Sequence, residues 1–222
     1  MFNSSPNTLG RCHRSVLAVV LMAAMSTLAP TVQAAGSCDA TTREDALKVV
    51  SETTTALFAA VDANAAAISE DPARARALVD EHISPHVDLK GFSKLVLGKH
   101  WRRATAEQQD AFLTQFHNLV LRTYATAVTS YTGIQIQYLP MREESRENFA
   151  TVRTLIPRSG GESVKVNYRL HCRNNVWKLF DVSIAGVSMV TTYRTAFSAE
   201  VKKSGLDGLI KALQEKSRKI GA

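Results

Sequence analysis

Between Ile134 and Ile184 the apolar residues recur mostly at every second position, whereas on either side of that stretch they recur at every third or fourth. A period near 3.6 lays side chains along one stripe of a helix, and a period of two alternates them across a strand. The order of helices, then strands, then helices therefore points to an α+β fold. IQIQYL (134–139) alternates, the polar turn REESREN follows, and FATVRTLI, the turn RSGGES and VKVNYRLHCR come next. That last segment puts Val164, Val166, Tyr168, Leu170 and Cys172 on one face and Lys165, Asn167, Arg169, His171 and Arg173 on the other. Asn174-Asn175 signals a tight hairpin because asparagine tolerates positive φ, and VWKLFDVSIAGV makes the fourth strand. Short loops between consecutive strands predict a four-stranded antiparallel twisted sheet, a meander wet on one face and buried on the other.

Upstream, Thr41 and Glu44 read as a capping box opening a helix over 42–68. Asp71-Pro72 opens a second, which should stop near Ser84-Pro85. Residues 88–104 read as one or two short helices carrying Phe92, Leu95, Val96 and Trp101. Thr105 and Gln108 form another capping box and open the longest helix, to about Tyr131. Its apolar stripe, from Phe112 and Phe116 to Val128, is broad enough to bury against more than one neighbour. After Gly186 the helical period returns at Val190, Tyr193, Phe197 and Val201; Gly205 ends that helix, and Asp207 caps a last one. Neither an internal repeat nor a linker appears, so residues 35–222 read as a single domain.

Residues 1–34 stand apart. Arg11 and Arg14 precede the apolar run VLAVVLMAAMSTLA (16–29), and Val32-Gln33-Ala34 offers small residues for cleavage, the pattern of a secretory signal cut after Ala34. The run is short of the roughly 20 apolar residues that a spanning helix needs. A lipoprotein signal would want an aliphatic residue three before Cys38, where Ala35 stands. The signal predicts export from the cytoplasm. The chain holds 27 basic and 20 acidic residues; removing a leader with two arginines leaves 25 against 20. Outside the cytoplasm that mild excess suits anionic lipid head groups or acidic protein faces, and no nucleic-acid role is expected. Cys38 and Cys172 remain after the leader. They either form a disulfide tying the N-terminus to a late strand, or stay apart as a terminal thiol and a small buried hydrophobe.

Gly186-Val187-Ser188-Met189-Val190 is the most enzyme-like fragment, since hydrolases hold a nucleophilic serine on a strand-to-helix turn. Position 190 is valine where that pattern wants glycine, and no parallel βαβ framework surrounds it. Ser188 reads instead as an N-cap and Gly186 as the bend. His82 and His86 are four apart, but Pro85 breaks the helix that would align them on a metal. His100, His117 and His171 fall on mixed or wet faces and read as solvated. Lys99-His100-Trp101-Arg102-Arg103 mixes cations with an aromatic; with Trp101 in the core its charges are simply solvated, and as a docking surface it would suit an anionic bilayer or partner. No metal, cofactor or catalytic residue is assigned. Periodicity leaves open whether the sheet and the long helix meet in a solid core or across a cavity.

WKLFDVSIAGVSMVTTYRTAFSAEVKKSGLDGLIKAL (177–213) carries a more specific pattern: Trp177, Asp181-Val182, Gly186-Val187-Ser188, Tyr193-Arg194, Phe197 and Gly205-Leu206-Asp207-Gly208-Leu209. Together with Leu97 to Arg102, Thr105, Gln108, Phe112, Phe116 and Tyr124-Ala125 upstream, it resembles the periplasmic phospholipid-binding shuttles of the Mla (maintenance of lipid asymmetry) pathway, also called toluene-tolerance auxiliary proteins. Hopanoid-associated periplasmic proteins look similar, which leaves lipid identity open. The resemblance implies helices and sheet enclosing an apolar pocket, and a carrier moving phospholipid between an outer-membrane lipoprotein complex and an inner-membrane ABC-type transporter complex. Strand parity and helix phase then nominate Ile136, Tyr138, Val166, Tyr168, Leu170, Val187, Met189 and Tyr193 as lining the acyl site, with Phe116, Val120 and Tyr124 closing the helix side and Arg194 near the phosphate. Two rivals stand beside it: a small enzyme on a cone-shaped scaffold, for which Asp181 is the only strand-borne acid near the Gly-Val-Ser joint, and an adaptor with a filled core.

Overall fold

A computed structural model describes residues 38, 41–129, 133–144, 146–158 and 161–220. The expected leader, 1–34, and the expected helix end at Tyr131 lie outside the described residues. Five strands follow one another in an antiparallel order β1-β2-β3-β4-β5: Gln137–Tyr138, Phe149–Arg158, Gly161–Arg173, Val176–Ile184 and Val187–Ser188. Among the described residues there are also six α-helices, α1 Arg43–Ala63, α2 Ala65–Glu70, α3 Ala73–Ile83, α4 Leu89–Leu97, α5 Ala106–Thr129 and α6 Met189–Ile220, and two short 3-10 turns, Ser84–His86 and Gly98–Arg103. The α+β meander matches expectation with one strand more, because Val187 and Ser188 pair back on Ile184 and Ser183 before the chain turns helical. The first strand is shorter than its alternation predicts. Continuing its register past Gln137↔Leu155 would set Gln135 opposite Pro157, which has no N–H to give.

Local chemistry explains most boundaries. Asn174 and Asn175 take φ of 51° and 59° between Arg173 and Val176, the paired positive values of a two-residue hairpin. The α5 cap is reciprocal: Gln108 N–H donates to the Thr105 hydroxyl and Thr105 N–H to Gln108 Oε1, each at 3.2 Å. At α1 the cap sits one residue later than the Thr41/Glu44 box, with Thr42 N–H donating to the Asp45 carboxylate at 2.7 Å. Thr41 is engaged elsewhere, its hydroxyl 3.4 Å from the Cys172 sulfur. The helix expected over 42–68 breaks at Asn64, whose side chain donates to the Ala60 carbonyl. Gly205, at φ 73° and ψ 177°, interrupts α6 where the helix was expected to end.

Cys38 and Cys172 form a disulfide across 134 positions of sequence, so the paired alternative holds. It staples the chain before α1 to the inner face of β3. Ala46 and Val50 of α1 pack there on Ala150, Val152, Leu170, Cys172 and Trp177. A second cluster is helical, built on Phe92, Trp101, Phe112, Phe116, Val190, Phe197 and Leu209. A third joins Leu57 and Val61 of α1 to Val79 of α3 and Ala125 of α5. The broad stripe of α5 thus serves two clusters, as its width requires. Among the described residues no helix is long and apolar enough to cross a membrane.

The outer sheet face departs from expectation at His171, which is 6 % exposed and not solvated. Val87 bridges to Leu179 and the Asp88 N–H donates to the Leu179 carbonyl, which carries the Asp88 carboxylate to within 2.9 Å of His171 Nε2. A bulge between Arg169 and Leu170 inserts Phe180 as an extra residue in β4. Its ring meets Phe149 edge-on and lies beneath the Arg169 guanidinium. His117, also expected to be solvated, lies within bonding distance of Ser84 and Asp80.

Candidate functional site

The joint between β4 and α6 is organised by one carboxylate. Asp181 is 1 % exposed, and it accepts the Ser188 hydroxyl at 2.7 Å on Oδ2 and the Val190 N–H at 3.1 Å on Oδ1. Arg169 approaches Oδ2 at 3.5 Å. Ser188 Oγ in turn accepts the Thr191 N–H at 3.2 Å. A buried acid of β4 set against the first turn of α6 thus satisfies one free backbone donor itself, holds the serine that satisfies another, and complements the positive end of the helix. Ala185 and Gly186, at φ 50° and 86°, make the turn that brings Ser188 back to Asp181. This is the geometry of an N-cap: the serine oxygen accepts the Thr191 N–H and the carboxylate the Val190 N–H, so both side chains are engaged by the backbone of the first turn. Among the described residues no group of three or more His, Cys, Asp or Glu is placed to hold a metal.

The apolar side chains expected to meet lipid fall into distinct places. From the sheet, Tyr138 stands opposite Thr154, which stands opposite Val166, and Tyr168 stands opposite Val152, all on the inner face. Tyr138 and Tyr168 are half-buried at the edge of the α1–sheet cluster, while Leu170 is 1 % exposed in its centre. Ile136 is half-buried in the segment before β1. From the helices, Val120, Met189 and Tyr193 are half-buried against the helical cluster. Phe116 lies inside it, surrounded by the rings of Phe92, Phe112, Tyr193 and Phe197 at 5.1 to 5.7 Å. Tyr124 reaches the Tyr193 hydroxyl. Two residues sit outward: Val187 is 61 % exposed on the edge strand, and the exposed Arg194 donates from Nε to the Leu95 carbonyl at 2.6 Å.

The tyrosines mark where the clusters stop. Burial first, and then the nearby Tyr138 phenol, push the Tyr168 hydroxyl up to about 12, against the hydrogen bond to Thr154. Burial also raises Tyr138, opposed by a hydrogen bond to Thr54 of α1. Tyr193 is raised by burial and by Tyr124. These phenols are neutral donors in apolar surroundings, able to bond esters or one another without carrying charge. Sequence periodicity found the tyrosines but missed Thr54 and Thr154, whose role shows only once α1 lies on the sheet.

Two surface clefts lie elsewhere. One of about 240 Å³ on the outer face combines Arg146 and Arg169 with Phe149 and Phe180. Another of about 160 Å³ lies between α3 and α5, lined by Arg76, Asp80, Asn118 and Arg122 among others. Neither is lined by the residues nominated for lipid.

Comparison with known proteins places these features in a family. The chain is 31 % identical over 162 residues to the intermembrane phospholipid transport system binding protein MlaC of Haemophilus influenzae, covering 72 % of this chain and 76 % of that one. It is 26 % identical over 160 residues to the toluene tolerance protein ttg2D of Pseudomonas putida, covering 72 % and 74 %. A phospholipid-binding protein from Ralstonia solanacearum, solved in complex with a phospholipid, superposes with a TM-score of 0.72 at 27 % identity, covering 79 % of this chain and 98 % of its own. The family model for the MlaC protein matches residues 51–215, so by sequence and by fold this chain belongs to the MlaC family.

Proposed function

We propose that the protein is a periplasmic phospholipid carrier, exchanging lipid with an outer-membrane lipoprotein complex and an inner-membrane ABC-type transporter complex to maintain outer-membrane lipid asymmetry. The observation that carries this reading is the Ralstonia neighbour, matched over 98 % of its chain, which holds a phospholipid. The apolar interior supports it. The described core falls into three clusters, with the half-buried Tyr138 and Tyr168 at the margin of one and Val120, Met189 and Tyr193 at the margin of another. Residues 1–34, read as a leader removed after Ala34, and the Cys38–Cys172 bond both suit an exported protein.

In this reading Tyr138, Val166 and Tyr168 face the acyl chains from the sheet. Val120, Tyr124, Met189 and Tyr193 face them from the helices. Phe116 and Leu170 back these residues as solid floor, and Val187 and Arg194 stand at the outer rim with the head group. Each methylene taken from water gains about 0.8 kcal/mol, so two chains of about 15 methylenes would gain roughly 25 kcal/mol, beyond any realised affinity. Water is the wrong reference, because the lipid leaves a bilayer equally dry. Net transfer near zero is what lets a carrier both load and release. Carriage and not turnover is the expected activity, since Asp181, the acid an enzyme on this scaffold would use, is consumed by the α6 cap.

Native mass spectrometry of gently purified protein tests this reading and reports lipid class, phospholipid or hopanoid, in the same spectrum. One bound phospholipid per chain is expected. A bare protein that acquires no lipid from vesicles overturns the proposal.

A further inference from the structure

We propose that the cations gathered where the Gly98–Arg103 turn meets α6 form a docking surface for an anionic lipid bilayer. Lys99, Arg102 and Arg103 are exposed on the turn, and Lys202 and Lys203 are exposed on α6, which packs against it. None of the five takes part in an ion pair among the described residues. The acids nearby in sequence on α6 are engaged otherwise: Asp207 accepts from Gln108 at 2.9 Å and Glu200 from the Ser204 hydroxyl at 2.7 Å. The backbone beneath is fixed. Trp101 is 7 % exposed and anchors the turn, and Gln109 donates to the Trp101 and Ala104 carbonyls. The concentration of charge is felt at His100, whose imidazole is held below its ordinary value by burial and then by Lys99, Arg103 and Lys202.

Two features favour a bilayer over an acidic protein face. No hydrogen bond fixes any of the five cationic side chains among the described residues, whereas a specific protein partner is best met by forks held in place. A fluid sheet of phosphates accepts free side chains in any arrangement. Trp101 is turned inward, and the apolar group next to the turn is Leu95, 36 % exposed. Docking is therefore electrostatic, reversible and salt-sensitive, without an aromatic anchor to hold the protein at the surface. Docking at this patch does not require lipid inside the fold, and the two are read by separate measurements.

The test is co-sedimentation of the purified protein with vesicles of phosphatidylcholine alone and with vesicles containing one third phosphatidylglycerol. Binding is expected only to the anionic vesicles and is lost in high salt. Each cation removed weakens binding about fivefold, so Lys99→Gln/Arg103→Gln/Lys202→Gln falls about a hundredfold. Lys211→Gln/Lys216→Gln/Lys219→Gln carries the same net charge and stays within a few-fold of the unaltered protein. Circular dichroism melting confirms that each variant is folded, and native mass spectrometry reads bound lipid independently. Equal weakening of both triple variants, an unaffected patch variant, or no preference of the unaltered protein for anionic vesicles overturns the proposal. The last outcome assigns the patch to a protein partner.

Discussion

Asp181 is where the structural and catalytic accounts of this fold part most sharply. Its carboxylate accepts the Ser188 hydroxyl at 2.7 Å and the Val190 N–H at 3.1 Å while 1 % exposed. Hydrogen bonds to a charged group are worth about 1.5–3 kcal/mol each. Asp181→Ala deletes two and strands their donors at the start of α6, offset in part by no longer burying a charge, for a net cost of about 3–5 kcal/mol. The Arg169 contact, at 3.5 Å and with an arginine side chain 49 % exposed, adds little. Asp181→Asn keeps the shape and one acceptor for the Val190 N–H, so it should cost about 1–2 kcal/mol. Ser188→Ala removes the hydroxyl that caps Thr191 and should also cost about 1–2 kcal/mol. Urea unfolding of the three variants gives the order directly. The double variant Asp181→Ala/Ser188→Ala should lose less than the sum of its parts, because the two share a bond. A cost for Asp181→Ala below about 1 kcal/mol would mean that the carboxylate does not hold the helix start. A loss of turnover in Asp181→Asn at unchanged stability would restore the enzyme reading.

Three further outcomes follow from the same geometry. Replacing both Cys38 and Cys172 by alanine frees a loop of 134 positions and should cost up to about 5 kcal/mol by loop-closure entropy, read as a lowered urea midpoint that reducing agent reproduces in the unaltered protein. Gly205→Ala meets no atom within 4 Å, so its penalty is backbone strain alone at φ 73°, about 1–3 kcal/mol by thermal melting. Tyr168 has its hydroxyl raised from 10.0 to about 12 in the folded protein. Its neutral form is therefore favoured by folding, and its contribution is intact below about pH 10 and lost as pH rises through about 12. Tyr168→Phe should flatten the alkaline loss of stability between those values, followed by circular dichroism; an unchanged profile would show that Tyr168 ionises as freely as in an unfolded chain.

The switch of apolar period near Ile134 and its reversal after Gly186 made the α+β order legible, and caps such as Thr105/Gln108 placed helix starts to within a residue. What stayed hidden depended on distant contacts. Thr41 looked like a cap until the disulfide end of β3 claimed its hydroxyl. His171 sat on a face that alternation marks as wet, but Asp88, carried in by the Val87–Leu179 bridge, and the Phe180 ring both pack against it. The bulge at Phe180 shifts the alternation of β4, and nothing in a local pattern announces an inserted residue. Of the residues nominated for lipid, parity placed Tyr138, Val166 and Tyr168 together on the inner face. Parity says nothing of depth, so Leu170 at the packed centre and Val187 on the exposed edge looked equivalent to them.

Phospholipid carrying a photoreactive group along its acyl chain, bound and then cross-linked, reports where that chain lies in the fold. Adducts are expected on Tyr138, Tyr168, Val120 and Tyr193, between the inner sheet face and the helices. Adducts confined to the outer-face cleft at Phe149 and Phe180, or scattered over exposed residues, would contradict that placement.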